Sequence, residues 1–245
     1  MPSYDEIARE NAPMTVPLTS THLTRLGRMC GVHSGSRVLD LSCYRGELLN
    51  TWAKGYELRG TGVDDREDDI EIAQTRANEL NVWSQVQYVV ADVFEYPQRF
   101  HQYNVISWLT VGAGQDLPRW LAVMQSALRD NTGLLVVGES FWRERPSRTI
   151  LKQMGIPANA LPRLNEIADL AHSAQFSIVD MLLLTYDDWD AYYASQWRAV
   201  ATWLTNNADD EKAPHIREKW QAQQQHYFSF EREAVNYGVF VLASV

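Results

Sequence analysis

Five short apolar runs, each followed by a stretch with helical spacing, constrain this chain more than any other feature. They are Val38–Ser42, Leu58–Val63, Val86–Val90, Asn104–Leu109 and Leu134–Gly138. Strands that alternate with helices are joined by right-handed crossovers, which predicts a parallel sheet. The segment after Asp68 illustrates the helices: Ile70, Ala73, Ala77 and Leu80 recur at steps of three and four residues and form one stripe for the sheet. Two later runs, Ile178–Leu184 and Val239–Ala243, are also strand-like, but about fifty helical, Trp- and Tyr-rich residues separate them. If these two pair at the sheet edge, the residues between them stand off as an appended helical module.

A helical pattern also precedes the first strand, with Leu23, Leu26 and Met29 in step between Thr21 and Cys30. Residues 1–33 therefore read as a lid or packing segment in front of the core. With 245 residues and 45% hydrophobic content, the chain can bury a full core and is expected to fold as one domain over 1–245. A formal charge of -9 sets the summed field against phosphate backbones, so nucleic acid is excluded as the expected partner. Arg143, Arg145 and Arg148 do cluster, either as a local basic patch or as scattered charges on a solvated loop. No apolar run approaches the roughly 18 residues of a membrane span, and the opening residues lack the basic-then-apolar order of a secretory signal. Cys30 and Cys43 have no CxxC spacing. These features lead to the expectation of a cytoplasmic protein with no membrane partner.

Three of the predicted strands end in an acid. RVLD ends in Asp40, GTGVD in Asp64 and VVAD in Asp92. RVLDLSCYRGELL reads strand, turn, helix, the arrangement that brings a helix N-terminus and free backbone N–H groups up to a ligand. Asp64, twenty-four residues after Asp40, is placed to accept hydrogen bonds from a ribose diol. One acid after a strand is commonplace, but three in register along the crevice of a parallel sheet point to a nucleoside site.

These segments resemble motifs I, II and III of the class I methyltransferases that use S-adenosylmethionine (SAM). The match continues through YNVISWLTVGAG and GLLVVGESFWR. Within that superfamily the chain is similar to a group of small bacterial methyltransferases, mostly of unassigned substrate, whose fifth strand ends GEPYWR. DWDAYYASQWRAVATWL and NYGVFVLASV extend the likeness, which covers roughly residues 20–245. The resemblance implies a Rossmann-like α/β fold with a mostly parallel seven-stranded sheet, helices on both faces and an antiparallel last strand. It implies a helical insertion at 185–237, before that strand, acting as a substrate cap. SAM would be the cofactor and a small molecule the methyl acceptor. Asp40 and the following turn (Ser42, Tyr44, Gly46) would hold the methionyl part, Asp64 with Asp65 the ribose, and Asp92 with Val93 the adenine, with Leu109 beside them.

One departure from the family pattern stands out. The family turn reads D-L-G-x-G-x-G, whereas this chain has Asp40, Leu41, Ser42, Cys43, Tyr44, Arg45 and Gly46. Glycine serves there because the backbone takes positive φ and approaches the ligand closely. Tyr44 either fills the methionyl space or swings out to cover it, with Arg45 near the carboxylate. The same spacing argues against a dinucleotide enzyme, which needs G-x-G-x-x-G.

Methyl transfer asks little of the protein beyond holding the acceptor in line in a dry pocket, and a base matters only for a nucleophile that must lose a proton. Glu139, at the end of the fifth strand, is the first candidate for acceptor positioning or base duty; its alternative is a cap or a pairing with Arg143. His226 and Tyr227 in the insertion are the second candidates, and a lone His is commonly structural. The remaining histidines, His22, His33, His101, His172 and His215, lack metal-ligand spacing, so no metal is expected. Cys43 reads as a small buried residue, since no local His or acid would activate it. Trp189, Tyr193, Trp197, Val200 and Trp203 share one helical face, which suits a lid, a core-facing stripe or a homodimer surface. Ser42 and Tyr44 keep a second function open, that of a catalytically silent methyltransferase-fold protein with another nucleoside ligand or a structural or regulatory role.

Overall fold

The computed structural model describes residues 2–10, 12–97, 101–110, 116–157 and 159–245. Two helices, α1 (Tyr4–Arg9) and α2 (Ser20–Met29), precede β1 (Arg37–Leu41), α3 (Glu47–Tyr56), β2 (Arg59–Asp64), α4 (Glu67–Glu79) and β3 (Val86–Val90). Next come β4 (Val105–Trp108), α5 (Leu117–Gln125), β5 (Leu134–Trp142), α6 (Arg148–Gln153), α7 (Leu164–Ser173) and β6 (Phe176–Leu183). The chain closes with α8 (Tyr186–Asn206), α9 (Ala213–His226), a π-helical turn (Tyr227–Glu231), α10 (Arg232–Ala234) and β7 (Val235–Ser244). Residues 111–114 of the fourth-strand motif lie outside the described residues.

The seven strands form one sheet in the order β3-β2-β1-β4-β5-β7-β6. β1 to β5 are parallel, and β7 runs antiparallel to both β5 and β6. This is the expected Rossmann-like architecture with an antiparallel edge. Alternate side chains feed two cores, one on each face. Val38, Val105, Leu49, Trp52 and Ala73 pack on one side; Leu39, Ile106, Leu121 and Ile167 pack on the other. All four residues of β4 are buried, as a central parallel strand requires.

β5 and β7 are longer than their apolar runs suggest, because they pair along their whole length from Leu134↔Ala243 to Trp142↔Val235. The buried polar residues Glu139, Ser140 and Asn236 interrupt the hydrophobic signal there. A bulge between Ile178 and Asp180 breaks the register of β6 and leaves Val179 exposed.

The direction of β7 positions the insertion. β6 ends and β7 begins beside the carboxyl end of β5, with Leu183 opposite Gly238 and Tyr237 opposite Ser140. The helices between them therefore leave and re-enter the sheet at the edge where doubly wound folds hold ligands. Buried Asn236 anchors the return: it donates to the Leu184 carbonyl at 3.2 Å and accepts from the Trp189 indole at 3.1 Å. The first 33 residues divide into two parts. α2 belongs to the main core, where Leu23 and Leu26 are fully buried and the Leu23 carbonyl accepts from Trp52 Nε1 at 2.6 Å. α1 packs instead on the insertion, with Tyr4, Ile7 and Ala8 against Val200, Leu204 and Ile216. Among the described residues no helix is long and apolar enough to cross a membrane.

Candidate active site

The turn after β1 takes left-handed backbone at alternate residues. φ is 55° at Ser42, 50° at Tyr44 and 72° at Gly46. The chain thus keeps the conformation for which glycine is suited at all three places, at an expected cost of about 1–3 kcal/mol for each side chain held there. At Gly46 no side chain fits, because a Cβ would lie 2.5 Å from the Tyr88 hydroxyl oxygen. Cys43 N–H donates to the Val63 carbonyl at 3.0 Å, and Gly46 N–H to the Cys43 carbonyl at 2.9 Å. Cys43 itself is buried, and burial, with the nearby Asp40 and Asp64 charges, pushes its thiol well up. That is the opposite of an activated nucleophile.

Asp64 organises the same turn from the end of β2. One carboxylate oxygen accepts from Tyr44 N–H at 2.9 Å and the other from Arg66 N–H at 3.2 Å. Each oxygen retains a further lone pair. Burial holds its pKa above the ordinary carboxylate value in spite of these two bonds. Ser42, Tyr44, Asp64 and Thr110 line a cleft of about 580 Å³ at this edge. Arg45 also lines this cleft, but its guanidinium is engaged by the protein. Its Nη1 donates to the carbonyls of Arg9 and Glu10 at 3.2 and 2.8 Å, its Nε lies 3.5 Å from Asp69, and its guanidinium caps the Tyr44 ring. It fastens the end of α1 over the turn.

The other expected cofactor residues are placed differently. Asp40 does not line the cleft. Parallel pairing sets it opposite Ser107, whose hydroxyl donates to it at 2.7 Å, and it is buried behind the turn. Gly46 and Leu109 are also buried behind the cleft wall, while Asp65 is exposed. Asp92 is exposed at the end of β3 and spends one oxygen on Phe94 and Glu95 N–H, at 2.7 and 3.0 Å. Val93 packs with the core on that side of the sheet.

Burial pushes the Asp40 carboxyl up to about 7, partly offset by the Ser107 bond. A carboxyl whose folded pKa exceeds its unfolded value costs stability progressively as pH rises from about 4 to 7, because only the unfolded chain ionises freely. Asp40→Asn keeps an acceptor for Ser107 and removes that cost. Its melting temperature should exceed that of the parent at pH 8, with the difference shrinking toward pH 5. A difference independent of pH in melts across that range would assign the carboxyl no such burial cost.

A second cavity, of about 720 Å³, opens between α1, the ends of β5 and β7, and the insertion. Glu139 lines its floor, fully buried and accepting from Ser140 N–H at 3.1 Å. His226 lines it from α9, with Nε2 4.0 Å from Glu231. Tyr227, expected beside His226, does not. Its ring is buried, its hydroxyl donates to Asp190 at 2.6 Å, and it borders a separate cleft on the far side of α8. Adjacent residues on a helix point about 100° apart, and the helix widens into a π turn at Tyr227. Trp197 borders that far cleft as well. Trp189 and Tyr193 from the same helical face do reach the cavity.

Tyr237 links the two spaces. It lines the larger cavity, and its hydroxyl lies 3.5 Å from the carbonyl of Thr110, a wall residue of the smaller one. Its room is made by Gly138, where a Cβ would meet that hydroxyl at 1.7 Å. Burial, then the charges of Glu139 and Asp40, push its pKa well up, so the hydroxyl keeps its proton. Asp5, Arg9 and Thr15 line both spaces. Sequence reasoning missed Tyr237 because only the β5–β7 register brings NYG beside GES. It missed Asp5 and Arg9 because a six-residue helix far from every motif carries no signal of its own.

Two residues of the basic cluster are engaged internally, while Arg148 is exposed. Arg143 donates to the Val235 carbonyl and to Asn236 at 3.0 Å each and stacks on Tyr186, and Arg145 pairs with Glu166 at 2.8 Å.

Comparison with known proteins places this geometry in context. Residues 38–131 match the methyltransferase domain family. The Escherichia coli K12 protein YjhP is 29% identical over 237 residues, covering 92% of each chain. A SAM-dependent methyltransferase from Thiobacillus denitrificans, solved in complex with S-adenosyl-L-homocysteine, superposes with a TM-score of 0.88 at 28% identity. It covers 100% of this chain and 99% of its own. The Geobacter sulfurreducens SAM-dependent methyltransferase, solved with the same molecule, gives 0.86 at 28% identity, with 100% and 99% covered.

Proposed function

We propose that this chain, which has the class I SAM-dependent methyltransferase fold and resembles small bacterial methyltransferases, binds SAM and transfers its methyl group to a small molecule. The observation that carries the reading is the pair of spaces with one shared wall, joined where Tyr237 meets Thr110. The residues fit the cofactor. Asp64 has acceptor capacity left on both oxygens for two ribose hydroxyls, and Asp92 retains one oxygen for a donor on the adenine side. The turn after β1, beside Asp64, has the left-handed backbone that lets main-chain atoms approach a ligand. When bound, SAM supplies an already activated methyl group with a neutral sulfide as leaving group.

The protein's own contribution is positional. Tyr237 offers a hydroxyl that stays protonated at the junction, and Glu139 holds a carboxylate on the acceptor floor, positioned to take a proton from a nucleophile that must lose one. The insertion and α1 close over both and exclude water, which strengthens every charge interaction inside.

Calorimetric titration with SAM and S-adenosyl-L-homocysteine tests the reading on the wild-type chain. The Ser42→Gly, Tyr44→Gly double variant should bind the homocysteine compound more tightly, since it removes two side chains from the lining of the cleft and lets the main chain approach the ligand. No heat from either protein would sink the cofactor assignment. The left-handed Ser42 and Tyr44 would then favour the second reading, a methyltransferase-fold protein with another nucleoside ligand.

A further inference from the structure

We infer that the acceptor held in the larger cavity is a protonated amine carried on an aromatic or apolar body, an inference that rests on the methyl-transfer reading and names its substrate class. Three elements distant in sequence each deliver a carboxylate to this space: Asp5 from α1, Glu139 from β5 and Glu231 from the π turn. The cationic side chains on its lining are Arg9, exposed at the mouth shared with the cofactor cleft, and His226, exposed at the other side. Much of the remaining wall is aromatic, including Trp142, Trp189 and Phe230. Ring faces and carboxylates together are the surroundings that hold an ammonium group.

Two further observations agree. Three tyrosine hydroxyls on the wall are pushed up, by burial first and in each case next by one of these carboxylates: Tyr4 to about 12 beside Asp5, Tyr193 beside Glu231 and Tyr237 beside Glu139. The carboxylates thus add a negative field, which favours a cation, to the larger effect of burial. In addition, the Tyr4 hydroxyl and the Trp142 indole N–H are buried on this wall without a hydrogen-bond partner among the described residues. A carboxylate-bearing molecule would meet three like charges, and a neutral one would bring no opposite charge to them.

The amine must shed a proton before its lone pair can act as a nucleophile. Glu139 is the carboxylate on the cavity floor, next to the junction marked by Tyr237. One proton passes from nitrogen to a Glu139 oxygen, leaving a neutral amine and a neutral carboxylic acid, so charge and atoms balance within the cavity.

The test uses matched probes titrated calorimetrically into the full chain, with and without S-adenosyl-L-homocysteine. One set is 2-phenylethylamine, 2-phenylethanol and 3-phenylpropionate; the other is tryptamine and its alcohol and carboxylate counterparts. At least one amine should bind about tenfold more tightly than its alcohol, the size of one charge-assisted hydrogen bond, with the carboxylate weakest. Glu231→Gln, which keeps an acceptor for Tyr193, and Asp5→Asn, at an exposed residue, should each shrink that ratio while leaving alcohol affinity and melting temperature unchanged. Alcohols equal to amines in both sets, or no amine binding up to about 10 mM, would overturn the inference. Amine preference without any heat for the homocysteine compound would uphold it and retire the cofactor assignment of the neighbouring cleft.

Discussion

Asp64→Ala should weaken binding of S-adenosyl-L-homocysteine by roughly ten- to over a hundredfold. The carboxylate is the acceptor proposed for both ribose hydroxyls, and losing such charge-assisted hydrogen bonds costs on the order of 1.5 to 3 kcal/mol. The loss is compounded locally, since Asp64 also accepts the Tyr44 and Arg66 N–H groups that shape the turn. Asp64→Asn separates the two effects. It keeps one acceptor oxygen but not the charge, so its affinity should fall between wild type and alanine. The pH dependence has a defined sign. The carboxylate form binds, and burial raises its pKa, so affinity should be retained above that raised value and lost below it, earlier on acidification than for an ordinary aspartate. Isothermal titration of the three proteins at neutral pH, and of the wild type down to mildly acidic pH, measures both. Equal affinities across the three would remove Asp64 from the site.

What the sequence disclosed and what it concealed follow from the range of the interactions involved. The five parallel strands and the nucleoside-type edge were readable because each depends on local patterning: apolar runs, helical spacing and an acid at the strand's end. The left-handed turn was readable too, because a motif that uses glycine for its backbone keeps that backbone when Ser42 and Tyr44 replace two of the glycines. Asp40 was less legible, for the opposite reason. The same strand-end pattern places one acid in the cleft and another beneath it, and the difference lies in whether the neighbouring strand offers a partner, here Ser107. Tyr237 and the α1 side chains act across long sequence separations, and no local pattern reports a β5–β7 register or a short helix docked on α8 and α9. Tyr227 and His226 are adjacent in sequence yet face different spaces, because neighbours on a helix point about 100° apart.

The same argument decides what the aromatic stripe of α8 does, and a single substitution checks it. Trp197 is half-buried between α8 and α9. Its ring centroid lies 5.9 Å from that of Tyr193, 5.7 Å from Tyr227 and 5.2 Å from Phe228, and its indole N–H donates to Gln223 on the facing helix. It borders the far cleft and not the acceptor cavity. Trp197→Ala should therefore act on stability. Full burial of such a ring is worth about 3–5 kcal/mol, so a half-buried one that also cross-links two helices is expected to cost about 2–4 kcal/mol. For a domain of this size that lowers the melting temperature by roughly 4 to 15 °C. Affinity for S-adenosyl-L-homocysteine, measured on the folded variant, should stay near the wild-type value, because Trp197 does not line the cleft at Asp64. Tyr237→Phe offers the contrast: it removes one hydroxyl at the junction of the two spaces, and its effect should fall on acceptor handling with little change in melting. A Trp197→Ala protein that melts like the wild type but loses acceptor-probe binding would return the stripe to the role of a substrate lid.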